Sequence, residues 1–241
     1  MYRRPSWLAC AGLLLLLAGC AAAPAKRDPR DPFERFNRGA YRFNDAVDRA
    51  VLRPVARGWN RTVPQPVRTG LSNLLGTLDY PTTIANDALQ GKIRDSARDA
   101  ARLVVNVVFG LGFYDAATRV GLEKHDEDFG QTLGRWGVPP GPFLELPLLG
   151  PSTVRDAPSK LVNEYTDGRH YISDMTVRWG LWAVDKVELR ASLLSTDALL
   201  QKAYDPYAFL RNAWLQRREY EVRDGDVPAD TDFGDDPATQ P

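Results

Sequence analysis

The sequence predicts a mainly α fold in a single domain, with one Gly/Pro-rich hairpin and little or no sheet. Three observations carry that prediction. Apolar residues recur at helical spacing through most of the chain, and no period-2 run exceeds four or five residues. One segment, 128–150 (DFGQTLGRWGVPPGPFLELPLLG), is punctuated by Gly and Pro where a helix cannot persist, yet it is rich in Leu, Phe and Trp. About 190 residues between the two chain ends suit one domain with a sizeable core, and no internal repeat divides them.

Taken in order, the chain begins with Arg3 and Arg4 ahead of the apolar run 7–18, which closes on Leu17-Ala18-Gly19-Cys20. A basic start, a short apolar run and small residues before a cut mark an export signal, and the run falls short of the ~20 apolar residues a bilayer span needs. The last four residues have the form of a bacterial lipobox. Residues 1–19 are therefore expected to leave as a lipoprotein signal peptide, with Cys20 lipidated. The alternative is an ordinary signal peptide cut near the Ala run 21–23. Ala rather than Asp at position 21 directs such a lipoprotein to the outer membrane. Cys10 departs with the signal, so no thiol remains for a disulfide or a thiolate metal site. Residues 20–30 form a tether that reaches ~35 Å at most.

The helical domain is expected over 31–218. Its first helix opens on Asp31 as N-cap, Pro32 at the first helical position and Glu34 completing a capping box, and Pro54 should end it by forcing Arg53 out of the helical region. On a helical projection Phe33, Phe36, Ala40, Phe43, Val47 and Val51 share a wedge of ~80°, and Arg35, Arg38, Arg42, Arg49 and Arg53 lie within ~60° of one another opposite it. Behind a lipid anchor such a basic amphipathic helix reads as an element lying in a membrane interface. The alternative is a core-packed helix with a solvated Arg face. Segments 64–76 and 81–91 each run from Pro to Gly and read as separate helices. Segments 95–109 and 171–194 read as helices, and 197–220 as two short ones broken at Asp205-Pro206.

Residues 219–241 hold eight acids and one base, a composition that buries nothing and reads as a disordered acidic tail. With Arg3, Arg4 and Arg223 set aside, Lys plus Arg falls from 31 to 28, while the tail's acids take Asp plus Glu from 31 to 23. The remainder is about +5, a modest excess that suits anionic headgroups.

Catalytic patterns are missing. His125-Asp126-Glu127-Asp128 sets one His among carboxylates, but adjacent side chains diverge and no second His stands at a ligand spacing. Asp128-Phe129-Gly130 lacks every other part of a kinase. Ser152 has no nearby base, and Ser152-Thr153 reads as a helix N-cap. No phosphate-binding glycine loop occurs. An exported lipoprotein is in the wrong compartment for nucleic acid. The expectation is no enzyme, no cofactor, no metal and no nucleic acid.

Six motifs then resemble one family, in order: DPFERFNRGAYRFND, LRPVARGW, VPQPVRTGLSNLL, PTTIANDALQGK, DFGQTLGRWGVPPGPFLELPLLGPSTVRD and YDPYAFLRNAWLQRR. The chain resembles the MlaA (VacJ) family of outer-membrane lipoproteins across about 31–218. The resemblance implies a ring-shaped helical protein in the periplasmic leaflet of the outer membrane, bound to a trimeric porin. It would remove phospholipids misplaced in the outer leaflet and pass them to a periplasmic carrier of the MlaC type. A structural lipoprotein that tethers or stabilises porins is the alternative, and a lipid hydrolase a more distant one. On that reading Phe33, Phe36, Phe43 and Asn44 seat the first helix in the leaflet, and Arg35, Arg38 and Arg42 are candidate phosphate contacts. The hairpin, with Gly137, Gly141, Phe143, Leu144, Leu146, Leu148, Leu149 and Gly150, lines or gates a channel with its apolar side chains toward acyl tails. The alternative is a loop capping the core.

Overall fold

A computed structural model of the chain describes residues 28–226, so Cys20, the signal and most of the acidic tail lie outside the described residues. Helix dominates, as expected: α1 (Glu34–Val47), a π-helical turn (Asp48–Leu52), α2 (Arg53–Thr62), α3 (Gln65–Leu89), α4 (Ile93–Gly110), α5 (Ala116–Arg119) and α6 (Phe129–Arg135) precede a single hairpin. That hairpin pairs β1 (Phe143–Leu146) with β2 (Gly150–Thr153) antiparallel, Phe143 opposite Thr153 and Leu146 opposite Gly150. After it come α7 (Asp156–Thr166), a 3₁₀ turn (Gly168–Tyr171), α8 (Met175–Ser192), a second 3₁₀ turn (Leu193–Thr196), α9 (Asp197–Lys202) and α10 (Pro206–Val222).

Several boundaries differ from the sequence reading. Pro54 does not end the first helix. The π-helical turn just before it, in which Arg53 N–H reaches the Asp48 carbonyl, absorbs the missing donor and the ring, and Arg53 stays helical at φ −64°, ψ −47°. Segments 64–76 and 81–91 fuse into the 25-residue α3, which runs through Gly76 and Pro81. Burial of Tyr80, Thr82, Thr83, Asn86 and Asp87 around Pro81 holds the helical course against the proline's preference. Helix α8 starts at Met175, later than 171, because Asp174 caps it by accepting from Val177 N–H at 3.0 Å. The acidic tail starts later than 219: α10 continues to Val222, and Asp224 pairs with Lys92.

Asp31 is not an N-cap side chain. Its carboxylate is buried, accepts from Asn37 Nδ2 (2.7 Å) and Arg211 Nη1 (3.0 Å), and takes the Tyr207 hydroxyl proton in a further hydrogen bond. Glu34, the other half of the expected capping box, pairs with Arg38 instead (2.7 Å). Thr153 is not the N-cap residue of α7, which is Arg155, but its hydroxyl accepts from Asp156 N–H in the first turn.

The interior is polar. Among the described residues the buried set holds 22 polar or charged side chains against nine apolar ones, reversing the usual inventory of a core. Ion pairs and hydrogen bonds link them. Arg218 of α10 grips Asp128 with both Nη atoms (2.7 Å each) and Asp156 at 3.0 Å. Burial opposes ionisation of both acids, yet Arg218, joined by Arg155 at Asp156, holds both below the usual carboxylate range. Gly130 makes room for this junction, since a Cβ there would stand 2.3 Å from Arg218 Nη2 and 2.3 Å from Asp156 Oδ1.

Candidate functional site

The Gly/Pro-rich segment becomes a hairpin because its glycines take backbone angles closed to other residues. Gly137, Gly141 and Gly150 sit at φ +88°, +66° and +72°, and a Cβ on Gly141 would also press on Val154 at 3.2 Å. At the tip Leu148 adopts φ +63°, uncommon for a non-glycine residue. Its amide is held in place, donating to Asn44 Oδ1 of α1 at 2.7 Å.

That bond belongs to a clamp. Asn44 Nδ2 also donates to Glu145 Oε1 (2.7 Å) and to the Leu146 carbonyl (3.0 Å). Two turns earlier on the same helix, buried Asn37 donates to the Phe143 carbonyl (3.0 Å) and accepts from Glu145 N–H (2.9 Å). A spacing of seven residues puts both amides on one stripe of α1, and each satisfies hairpin backbone that has no strand on that side. Asn44 therefore fastens the hairpin to α1.

Glu145 lies inside the clamp and is buried, with Oε2 unpartnered. Burial pushes its carboxyl up to about 7, against the opposing Asn44 hydrogen bond and the Lys160 charge.

The hairpin's apolar residues divide into two groups. Phe143 is 1% exposed and packs edge-on to Tyr207 and Trp214, so it belongs to the core and not to a face that meets acyl tails. Leu144 and Leu146 are half-buried, whereas Leu148 and Leu149 at the tip are exposed. Behind the hairpin's entry, Gly137, Val138, Pro140, Arg155 and Arg223 line a recess of about 370 Å³.

Helix α1 has three faces. Phe33, Phe36 and Phe43 project outward, exposed at 48%, 57% and 48%. Asn37 and Asn44 sit ~60–90° around the axis from the centre of that wedge, toward the hairpin. The Arg face is mixed. Arg35 and Arg42 are exposed, but Arg38 pairs with Glu34 and Asp205 and lies over the Tyr207 ring at 4.5 Å, which ties it to the fold and removes it from the set of free phosphate contacts.

The exposed apolar surface reaches well beyond α1. It includes Val104, Val107, Val108, Phe109 and Leu111 at the end of α4, and Trp179 and Trp182 on α8. Among the described residues no helix is long and apolar enough to cross a membrane.

Sequence reasoning found the hairpin but missed its clamp. The pair Asn37 and Asn44, each directly after a Phe, was the available signal. It also missed that α3, α4 and the following loop bring Asp87, Asp99 and His125 together.

Comparison with known proteins agrees with this arrangement. The family described as MlaA lipoprotein matches residues 29–221. The chain is 36% identical over 219 residues to the intermembrane phospholipid transport system lipoprotein MlaA of Escherichia coli strain K12, covering 88% of this chain and 86% of that one. Against the Haemophilus influenzae protein of the same name it is 34% identical over 223 residues, 88% of each chain. A chain solved in work on the structural basis for maintenance of bacterial outer membrane lipid asymmetry superposes with a TM-score of 0.73 at 34% identity, covering 81% of this chain and all of that one. With a family match across the whole described domain, and the polar interior and greasy exterior that the fold displays, this chain belongs to the MlaA lipoprotein family.

Proposed function

We propose that this protein is an outer-membrane lipoprotein of an intermembrane phospholipid transport system. It rests in the periplasmic leaflet, anchored through Cys20, and removes phospholipids misplaced in the outer leaflet. It works beside a trimeric porin and hands its cargo to a soluble periplasmic carrier of the MlaC type. One observation carries the reading: many large apolar side chains, Phe109, Leu111, Trp179 and Val108 among them, are exposed, while polar and charged side chains outnumber apolar ones in the buried set. Exposed apolar surface on this scale marks contact with hydrocarbon or a partner, and the family match favours hydrocarbon. With no membrane-crossing helix among the described residues, seating in one leaflet fits better than spanning.

A phospholipid has a charged head and apolar tails, so its route must offer both surfaces. A wholly apolar path would strip the head of water at a cost of several kcal/mol per ion. A helical body with a polar inside and greasy outside supports such a route, which we take to be a ring whose gate is the hairpin tip; the exposure of Leu148 and Leu149 supports that reading. Arg35 and Arg42 are the remaining candidates for phosphate contact.

The test is the phospholipid content of the outer leaflet in a strain lacking this gene. Wild-type protein should restore a leaflet depleted of phospholipid. A variant whose hairpin tip is held to α1 by an engineered disulfide should fail until reductant is added. Equal complementation by the oxidised variant overturns the gate, and unchanged outer-leaflet composition in the deletion strain overturns the transport reading.

A further inference from the structure

The geometry points to a divalent-cation site of the zinc type formed by Asp87 of α3, Asp99 of α4 and His125 of the loop that follows α5. The three offer ligand atoms that all lie within 4.8 Å of one another. His125 Nε2 stands 3.3 Å from each Asp87 carboxylate oxygen and 3.1 Å from Asp99 Oδ2. Around zinc, with bonds of ~2.0–2.1 Å, the edges of a ligand tetrahedron measure ~3.3–3.4 Å, so these side chains need little movement to close on an ion.

The state of the carboxylates is the second observation. Asp87 and Asp99 are both fully buried at 0% exposure, and Asp87 Oδ2 and both Asp99 oxygens have no hydrogen-bond partner. Leaving such groups unpaired is costly. The neighbouring cations are committed elsewhere. Arg102 reaches Tyr80, Asp115 and the Leu122 carbonyl, Lys92 is bonded to Glu127, and Lys124 pairs with Asp126. One imidazole thus faces two carboxylates.

One imidazole nitrogen with two carboxylate oxygens suits zinc or a similar first-row ion better than calcium, which takes six to eight oxygen ligands, or magnesium. His125 is partly open to solvent, with its side chain 37% exposed, so water completes the coordination. An ion here staples the loop to the α3–α4 pair. The loop's far end is Asp128, which caps α6 and holds Arg218, so the site supports the junction behind the hairpin. This inference is independent of any role in lipid transport.

The experiment uses the tag-free, lipidated full chain in detergent, stripped with chelator, dialysed and titrated with zinc chloride by calorimetry, with metal content read by mass spectrometry. One zinc per chain is expected, with cobalt giving the visible spectrum of a tetrahedral N/O site. Calcium in excess should not compete. Asp99→Asn and His125→Gln should each weaken zinc binding by roughly 100-fold or more, since even neighbours of metal ligands are worth 10–100-fold. His125→Gln sits at the exposed edge and serves if the buried variant does not fold. Less than about a tenth of a zinc per wild-type chain, or wild-type affinity in His125→Gln, overturns the proposal, because a site built on these ligands must lose metal when one is removed. So does a wild-type melting temperature that ignores both zinc and chelator.

Discussion

Helix α1 and the hairpin it holds treat polarity in opposite ways from an ordinary soluble domain. Helix α1 buries Asn37 and Ala40 while the rings of Phe33, Phe36 and Phe43 beside them stay exposed. The junction behind the hairpin repeats the pattern, with Arg218, Asp128 and Asp156 inside and Trp136, Leu148 and Leu149 outside. The contrast teaches that hydrophobic burial on folding does only part of the organising here. Inside, directional bonds between charged and amide groups specify which element meets which. Outside, the apolar area is left for a second medium, and its transfer free energy, ~25 cal/mol per Å², becomes available when the protein meets lipid.

This division can be broken from either side. The largest effect should come from Arg218→Met, which leaves half-buried Asp128 without its cation and buried Asp156 with Arg155 alone. A loss of ~3–5 kcal/mol is expected in denaturant unfolding followed in detergent. A change below ~1 kcal/mol, the size of a surface ion pair, would show that the interior pairs are ornamental. Asn44→Ala should cost ~2 kcal/mol by stranding the Leu146 carbonyl, the Leu148 amide and Glu145, and amide exchange at 145–149 should quicken before the rest of the domain opens.

Glu145 gives a pH handle. Its folded pKa is raised from 4.5 to about 7, so the folded state holds a proton that the unfolded chain releases earlier. The stabilising effect of that proton is complete below pH ~4.5 and is lost as pH rises through ~7. Glu145→Gln should flatten this slope and raise stability at pH 8 by ~1–3 kcal/mol, measured as melting temperature against pH. An unchanged slope would place the proton elsewhere. Smallest in stability is the outer face. Changing Phe33, Phe36 and Phe43 together to Ser should move unfolding by no more than ~1–2 kcal/mol, because about half of each ring is already exposed. Yet the same change should sharply reduce retention on phospholipid vesicles when the unlipidated chain is assayed by flotation. Equal flotation would mean that these rings do not meet hydrocarbon.

Most of the fold was legible in the sequence because helical periodicity and Gly/Pro punctuation are local signals. Within 128–150 the hairpin was legible at 137–150, but residues 129–135 form α6 where glycine punctuation argued against a helix, because Asp128 caps it by accepting from Gln131 N–H. The α4, α8 and α10 regions read correctly as helices. The failures share a cause. Pro54, Pro81 and Asp31 carry strong local preferences that tertiary contacts override: a π-helical turn, a buried stretch of α3, and a carboxylate claimed by Tyr207 and Arg211 from the far end of the chain. Pattern also misassigned Phe143 and missed the clamp made by Asn44. An Asn beside an apolar wedge reads as an interfacial residue, and a Phe in a greasy loop reads as lipid-facing. Only the register of the hairpin against α1 shows one to be a clamp and the other a core ring. The Asp87, Asp99 and His125 cluster was invisible for the same reason, since its members are 12 and 26 residues apart and no short spacing announces them.

The bond from Asp31 to Tyr207 and Arg211 joins residues 176 and 180 positions apart. A chain whose first turn and last helix must meet before its charged interior is closed cannot finish folding during export. Such distant pairing is slow, and until the final segment has crossed the inner membrane the polypeptide stays open and adhesive. Truncation within α10, which removes Tyr207 and Arg211 from Asp31, should therefore destabilise the whole molecule rather than trim an end.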